Sequence, residues 1–179
     1  FGLTPIIFYS LKRGFTDLWI SDDVWQRMKE IYLKSVARNI RLYHQLAGII
    51  SLLNGNGISV ILLKGAHLAR YVYGNLGLRP MADIDLLAKK NDLIRIHELL
   101  IKHGYKNSSD DRSYSKHLAP YFKPGSVSIE VHFNITTPPF SDCFDVEEFW
   151  SRSQKYNLDG VEVLTLSPED ILLHMCIHT

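Results

Sequence analysis

Three acids stand where apolar residues would be expected. In LRPMADIDLLA (78–88), Asp83 and Asp85 interrupt a run in which Ala82, Ile84, Leu86, Leu87 and Ala88 read as the core of a β-strand. Strand side chains alternate between faces, so Asp83 and Asp85 share one face and Ile84 and Leu86 the other. Neighbouring carboxylates repel and resist desolvation. A bound divalent cation is the commonest relief, and a solvated edge strand is the ordinary alternative. Downstream, SVSIEVHFNI (126–135) places Val127, Ile129, Val131 and Phe133 on one face. Ser128, Glu130, His132 and Asn134 take the other, which makes Glu130 a third embedded acid. His132 is read as a supporting residue rather than a ligand.

Acids on adjacent strands can hold two Mg²⁺ ions about 4 Å apart, the arrangement used for in-line phosphoryl or nucleotidyl transfer. One ion binds a triphosphate, and the other lowers the pKa of the attacking hydroxyl. Mg²⁺, or Mn²⁺ in its place, takes hard oxygen ligands and keeps some water. The acids also follow a strand–glycine–helix unit, ILLKG then AHLARYVY (61–73). The N-terminus of that helix offers backbone N–H groups to phosphate. Lys64 and Arg79 bracket the unit and are candidate phosphate contacts.

The elements that must position these residues are legible from periodicity and punctuation. Residues 21–55 read as one long helix or two end to end, with Ser21 as cap and Gly55 at the end. ISVILLK (58–64) reads as a strand buried on both faces, 65–73 as a short helix and 82–87 as the acid-bearing strand. Residues 91–104 read as a helix with Asn91 as N-cap and Gly104 past its end. HLAPYF and SVSIEVHFNI flank Lys123-Pro124-Gly125 as a hairpin. DVEEFWSRSQKY (145–156) reads as helix, VEVLTL (161–166) as strand, and SPEDILLHMCIH (167–178) as a helix with Ser167 as cap and Pro168 at its first position. The order predicts a mixed α+β fold: a mixed sheet with flanking helices and an N-terminal helical segment. Three regions are expected: a helical segment over 1–56, the acid-bearing core over 57–135, and a helix–strand–helix extension over 136–179.

Composition narrows the class. A chain of 179 residues, 46% hydrophobic and 22% charged, is an ordinary globular protein. A net charge of +1 supplies no global field for long RNA or an anionic membrane. The uncharged run 42–63 is broken by His44, Gln45 and Asn54-Gly55-Asn56-Gly57, which rejects a transmembrane span. Two cysteines, Cys143 and Cys176, form no disulfide framework, so a reducing cytoplasm is the expected location. The chain starts at Phe1 and stops within a helical pattern, which reads as part of a longer protein. The aromatics Trp19, Trp25, Tyr32 and Tyr43 are read as core. His174, Cys176 and His178 fall short of a zinc site, because further ligands are lacking and Cys176 points elsewhere on the helix.

The passage ILLKGAHLARYVYGNLGLRPMADIDLLAKKNDL, with IEVHFNI later, resembles the nucleotidyltransferase superfamily with a DNA polymerase β-type catalytic core. More narrowly it is similar to a poorly characterised bacterial branch with a Leu-Lys-Gly, Arg-Pro, Asp-Ile-Asp-Leu-Leu and Glu-Val-His pattern. The resemblance covers about 58–134, and LSPEDILLHMCIH looks like a further piece. It implies that Asp83 and Asp85 are the metal-binding pair and that Glu130 is the third acid, which helps activate the acceptor hydroxyl. It also implies that Gly65 precedes the phosphate-facing helix. Most members follow that glycine with Gly or Ser. Ala66 lacks the hydroxyl, and Lys64 or His67 is the candidate substitute. The implied phosphate contacts are therefore Lys64, Gly65, Ala66, His67 and Arg79.

The implied activity is transfer of a nucleoside monophosphate from an NTP, such as ATP, to an acceptor with release of pyrophosphate. A small molecule or a peptide or protein side chain suits the low net charge better than long RNA does. A non-catalytic module that senses nucleotides or binds a partner is the alternative, and a metal-dependent phosphohydrolase a third reading.

Overall fold

The computed structural model describes residues 2–14, 18–107, 116–137 and 143–177. Its longest element is α2 (Asp22–Gly55), one unbroken helix of 34 residues. Its C-terminal half carries Leu42, Leu46, Ile49, Ile50 and Leu53 at helical spacing, and all are buried. The N-terminal half buries little and instead packs α1 (Thr4–Gly14), with the Phe8 ring 4.9 Å from Trp25 and 5.4 Å from Tyr32. Ser21 sits at the N-cap in extended conformation but makes no side-chain cap bond. Trp19 departs from the expected core, with 90% of its surface exposed.

One mixed sheet of seven strands organises the described residues, in the order β3-β4-β5-β2-β1-β7-β6. Its centre is β1 (Val60–Leu62), fully buried, antiparallel to β2 (Asp83–Ala88) and parallel to β7 (Val161–Thr165). β2 runs parallel to β5 (Ser128–His132), which pairs antiparallel with β4 (Tyr121–Phe122) across the expected Lys123-Pro124-Gly125 turn. The edges are β3 (Lys106–Asn107) and β6 (Gln154–Leu158).

Two apolar layers cover the sheet. Val60, Leu62, Ile84, Leu86, Ile129 and Val131 pack with α2 and with α4 (Leu93–Lys102) on one face. Ile61, Leu63 and Leu87 pack on the other with Phe149 of α5 (Val146–Arg152) and residues of α6 (Pro168–Ile177). The alternation of β2 thus puts Asp83 and Asp85 on the face of α5 and α6, opposite α2.

Several expectations shift locally. β1 is shorter than 58–64, and Lys64 opens α3 (Lys64–Tyr71) with a left-handed φ of 45°. Ala82 is exposed and precedes β2. Asn91 is no N-cap, because it lies inside a 3₁₀ turn, Lys90–Asp92, that leads into α4. Gly104, at φ 85°, does follow that helix. The segment expected as helix through Tyr156 stops at Arg152, and Gln154–Leu158 becomes β6, joined to β7 by Asp159 and Gly160 at φ 51° and 92°. Positive φ at both central residues is what a tight right-twisted hairpin requires. Ser167 caps α6 as expected, its Oγ accepting from the Asp170 N–H at 3.2 Å. His178 lies outside the described residues.

The loop between α3 and β2 is a packed element. Asn39 of α2 donates to the carbonyls of Leu76 and Arg79, and Tyr32 and Asn75 bond through their side chains. A methyl group on Gly77 would strike the Tyr32 ring and come within 2.7 Å of Val36 Cγ2, so only glycine lets the loop approach α2 this closely.

Candidate active site

Parallel pairing of β2 and β5 builds the site. The register sets Asp83 opposite Ser128, Asp85 opposite Glu130 and Leu87 opposite His132. Neighbouring strands lie about 4.8 Å apart. Ligand atoms of Asp85, Glu130 and His132 all fall within 4.8 Å of one another. Asp85 is 3% exposed and His132 1%, while Glu130 is half-buried. His132 Nε2 lies 2.9 Å from Asp85 Oδ1 and 3.5 Å from Glu130 Oε2. Two ionised carboxylates can only accept, so Nε2 donates to them in the metal-free cluster and must give up that proton before it can ligate a metal. His132, expected behind the acids, stands among them.

A lysine meets the same oxygen. Lys64 Nζ donates to Asp85 Oδ1 at 2.8 Å, reaching back from the first turn of α3. Backbone pairing brings the two together, since the Leu63 N–H donates to the Asp85 carbonyl at 3.0 Å. Burial pushes the Asp85 carboxyl up, but the His132 hydrogen bond and the charges of Lys64 and His132 outweigh it and hold the group at about 2. Asp83, the first residue of β2, shares the acid face and is half-buried. Burial and then the charges of Asp85 and Glu130 raise its carboxyl, against the opposing charge of Lys64. The His132 hydrogen bond lowers Glu130, against its own burial and the Asp85 charge. All three acids therefore feel one another.

The remaining expected residues divide. The N-cap of α3, Leu63, offers no side-chain cap, so the first backbone N–H groups of Lys64, Gly65 and Ala66 point out of the helix end. Arg79 lies over Gly65, with its Nε 3.8 Å from where a Cβ would sit, and Met81 Cγ is at 3.2 Å from the same point. Glycine at 65 thus lets Arg79 and Met81 close on the helix end. His67 is only 4% exposed, stacks on Tyr71 at 4.9 Å, and burial lowers it to about 4. It is neutral near pH 7 and brings no charge to a phosphate.

Two basic residues escaped the reading of the sequence. The Lys116 carbonyl accepts from the Phe133 and Asn134 N–H groups, which ties it to the end of β5. Its ammonium is lowered by burial and by Lys64, and is favoured by Glu130 and Asp85. The His117 ring sits 5.1 Å from that of His132. Neither lies in a periodic pattern, and only the strand pairing brings them in.

A buried cluster of two carboxylates and an imidazole fits a divalent cation, with oxygen donors suiting Mg²⁺ or Mn²⁺ and one nitrogen better tolerated by Mn²⁺. Asp83 adds a further acid at the rim.

The comparisons agree with this architecture. The chain belongs to the family described as uncharacterised nucleotidyltransferase, whose model matches residues 2–179. No curated protein matches it. Among solved structures it is similar to a nucleotidyltransferase candidate from Thermotoga maritima at a TM-score of 0.56 and 14% identity, over 74% of this chain and 81% of that one. It is also similar to the lincosamide antibiotic adenylyltransferase LnuA, crystallised with lincomycin, at 0.54 and 15%, over 73% and 83%. An antigenic nucleotidyltransferase-like protein from Paracoccidioides brasiliensis matches at 0.51 and 20%, over 75% and 64%. At these identities the likeness establishes the nucleotidyltransferase fold. Among the described residues no helix is long and apolar enough to cross a membrane.

Proposed function

We propose that this chain transfers a nucleoside monophosphate from an NTP to an acceptor hydroxyl and releases pyrophosphate. The observation that carries the reading is the register of Asp85 opposite Glu130, with His132 in the same buried cluster. Asp83, Asp85, Glu130 and His132 would hold Mg²⁺ or Mn²⁺, and the metal supplies charge for the triphosphate and a lowered hydroxyl pKa. The open N-terminus of α3, Lys64 and Arg79 receive the phosphates. Glu130, half-buried, would take the proton from the attacking hydroxyl. The new bond joins acceptor oxygen to the α-phosphorus, and the α–β bridging bond breaks to free pyrophosphate. The low net charge and the small-molecule partner named for LnuA support a small-molecule acceptor.

Two observations favour the alternative of a non-catalytic nucleotide-sensing or partner-binding module. Lys64 already neutralises Asp85, and Ala66 lacks the hydroxyl expected beside the glycine. The test is incubation with each α-³²P-labelled NTP and Mg²⁺ or Mn²⁺ across acceptor fractions, for the parent and Glu130→Gln. The enzyme reading expects the variant to keep NTP binding and lose transfer by about 10²-fold or more. Binding without transfer by the parent, over all NTPs and fractions, establishes the module instead.

A further inference from the structure

Lys34, Arg38 and Arg41 follow one another at i, i+4 and i+7 along α2, so they form a single stripe. Like charges at such spacing repel and weaken a helix. Among the described residues, Arg38 and Arg41 make no ion pair to offset it, and Lys34 meets only Glu30, one turn back, at 3.8 Å. The stripe forms one wall of a groove of about 800 Å³, and residues 125–127 form the other. Among the described residues no carboxylate lines this groove.

The groove is fixed to the ends of the two acid-bearing strands. Arg38 Nη2 donates to the Ala82 carbonyl at 3.2 Å, one residue before Asp83. About two turns further along the same face of α2, the Gln45 amide clamps Val127, donating to its carbonyl and accepting from its N–H, both at 2.9 Å. Val127 is three residues before Glu130, about 10 Å at strand rise. Because Asp83 is the first residue of β2, a molecule seated in the groove reaches the acid face around the strand end rather than through the sheet. Arg38 is thereby held in place before any ligand arrives, which removes part of the ordering cost of binding.

We infer that this groove binds a phosphate-bearing small molecule and seats it as the acceptor. The volume is that of a small-ligand site. Guanidinium pairs suit phosphate oxygens. Two arginines without an ion pair among the described residues, with Lys34 one turn away, place a positive field at this groove in a chain of net charge +1. The word acceptor rests on the nucleotidyl-transfer reading; the anion site does not.

The experiment is a calorimetric titration with ribose 5-phosphate and with ribose, in EDTA and without NTP, so that the acid cluster gathers no metal-bound phosphate. The parent should bind ribose 5-phosphate saturably and ribose not at all. Arg38→Gln/Arg41→Gln should weaken binding at least tenfold at an unchanged melting temperature. Lys102→Gln, which removes an equal kind of charge on α4, should leave it unchanged. Equal binding by the double variant, equal loss in Lys102→Gln, or no discrimination from ribose would overturn the inference. If the double variant melts early, Arg41→Gln alone decides, with a threefold or greater loss expected and no loss contradicting the site. A parent that binds ribose 5-phosphate yet transfers nothing overturns the transfer reading and leaves the groove standing. Transfer in a protein whose groove binds no phosphate does the reverse.

Discussion

Lys64 is tied to Asp85 by a 2.8 Å ion pair that it reaches from a left-handed backbone conformation, φ 45°. A non-glycine residue in that region carries strain of about 1–2 kcal/mol, which the surrounding contacts must offset. The lysine carries that strain at the junction between β1 and α3, and its ammonium serves as counter-ion to Asp85, the most buried of the three clustered acids. Loss of that ammonium is therefore a direct test of the site's electrostatics.

Lys64→Met should raise the Asp85 carboxyl and destabilise the metal-free protein by about 2 kcal/mol, the scale of a hydrogen bond to a charged group. Added Mn²⁺ should then raise the melting temperature more in the variant than in the parent, because a metal takes over the missing positive charge. Paired thermal melts with and without Mn²⁺ check this. A smaller Mn²⁺ response in the variant would mean that Lys64 and the metal do not compete for Asp85.

Gly77→Ala should destabilise by about 1–3 kcal/mol, since the added methyl overpacks against Tyr32 and Val36. Gly48→Ala is the counterpart. It lies inside α2 with nothing within 4 Å of the added Cβ, so it should stabilise by about 0.5–1 kcal/mol. Urea unfolding of both variants measures the pair. A neutral Gly77→Ala would show that the loop is not packed on α2 as described.

His67 sets an acid limit on stability. Its folded pKa is lowered to about 4 by burial, below the ordinary 6.5 of the unfolded chain, so between these values the unfolded state binds the extra proton. Its contribution is undiminished above about pH 6.5, falls as pH drops toward 4, and totals on the order of 3 kcal/mol. His67→Leu should flatten the stability profile across that window. Urea midpoints at pH 7 and pH 4.5 for both proteins would show it, and an equal drop in both would remove His67 as the cause.

The acid face of β2 and β5 was legible because period-two alternation is strict there and a charged residue in a buried strand stands out. The partnership of His132 with the acids was not, because alternation gives the face but not which residue lies opposite Asp85. That depends on β2–β5 register. Lys64 stood out beside the glycine as a candidate phosphate contact, but its ion pair with Asp85 was not legible, because it requires the left-handed turn. β6 was missed although Asp159-Gly160 is a strong hairpin signal, because the helix-like pattern of DVEEFWSR was extended through Gln154 and Tyr156. The position of Trp19 shows the limit of reading large aromatics as core when their neighbours in space are unknown.

Asp85, Glu130 and His132 are proposed to form one divalent-cation site. The most direct measurement is Mn²⁺ titration followed by electron paramagnetic resonance, for the parent and for Glu130→Gln, which keeps the shape of a half-exposed side chain. The account predicts saturable binding of one or two ions by the parent. In the variant it predicts at least a tenfold loss of affinity with the melting temperature within a few degrees. Equal Mn²⁺ affinity in the two proteins, or no saturable binding by the parent, would contradict it.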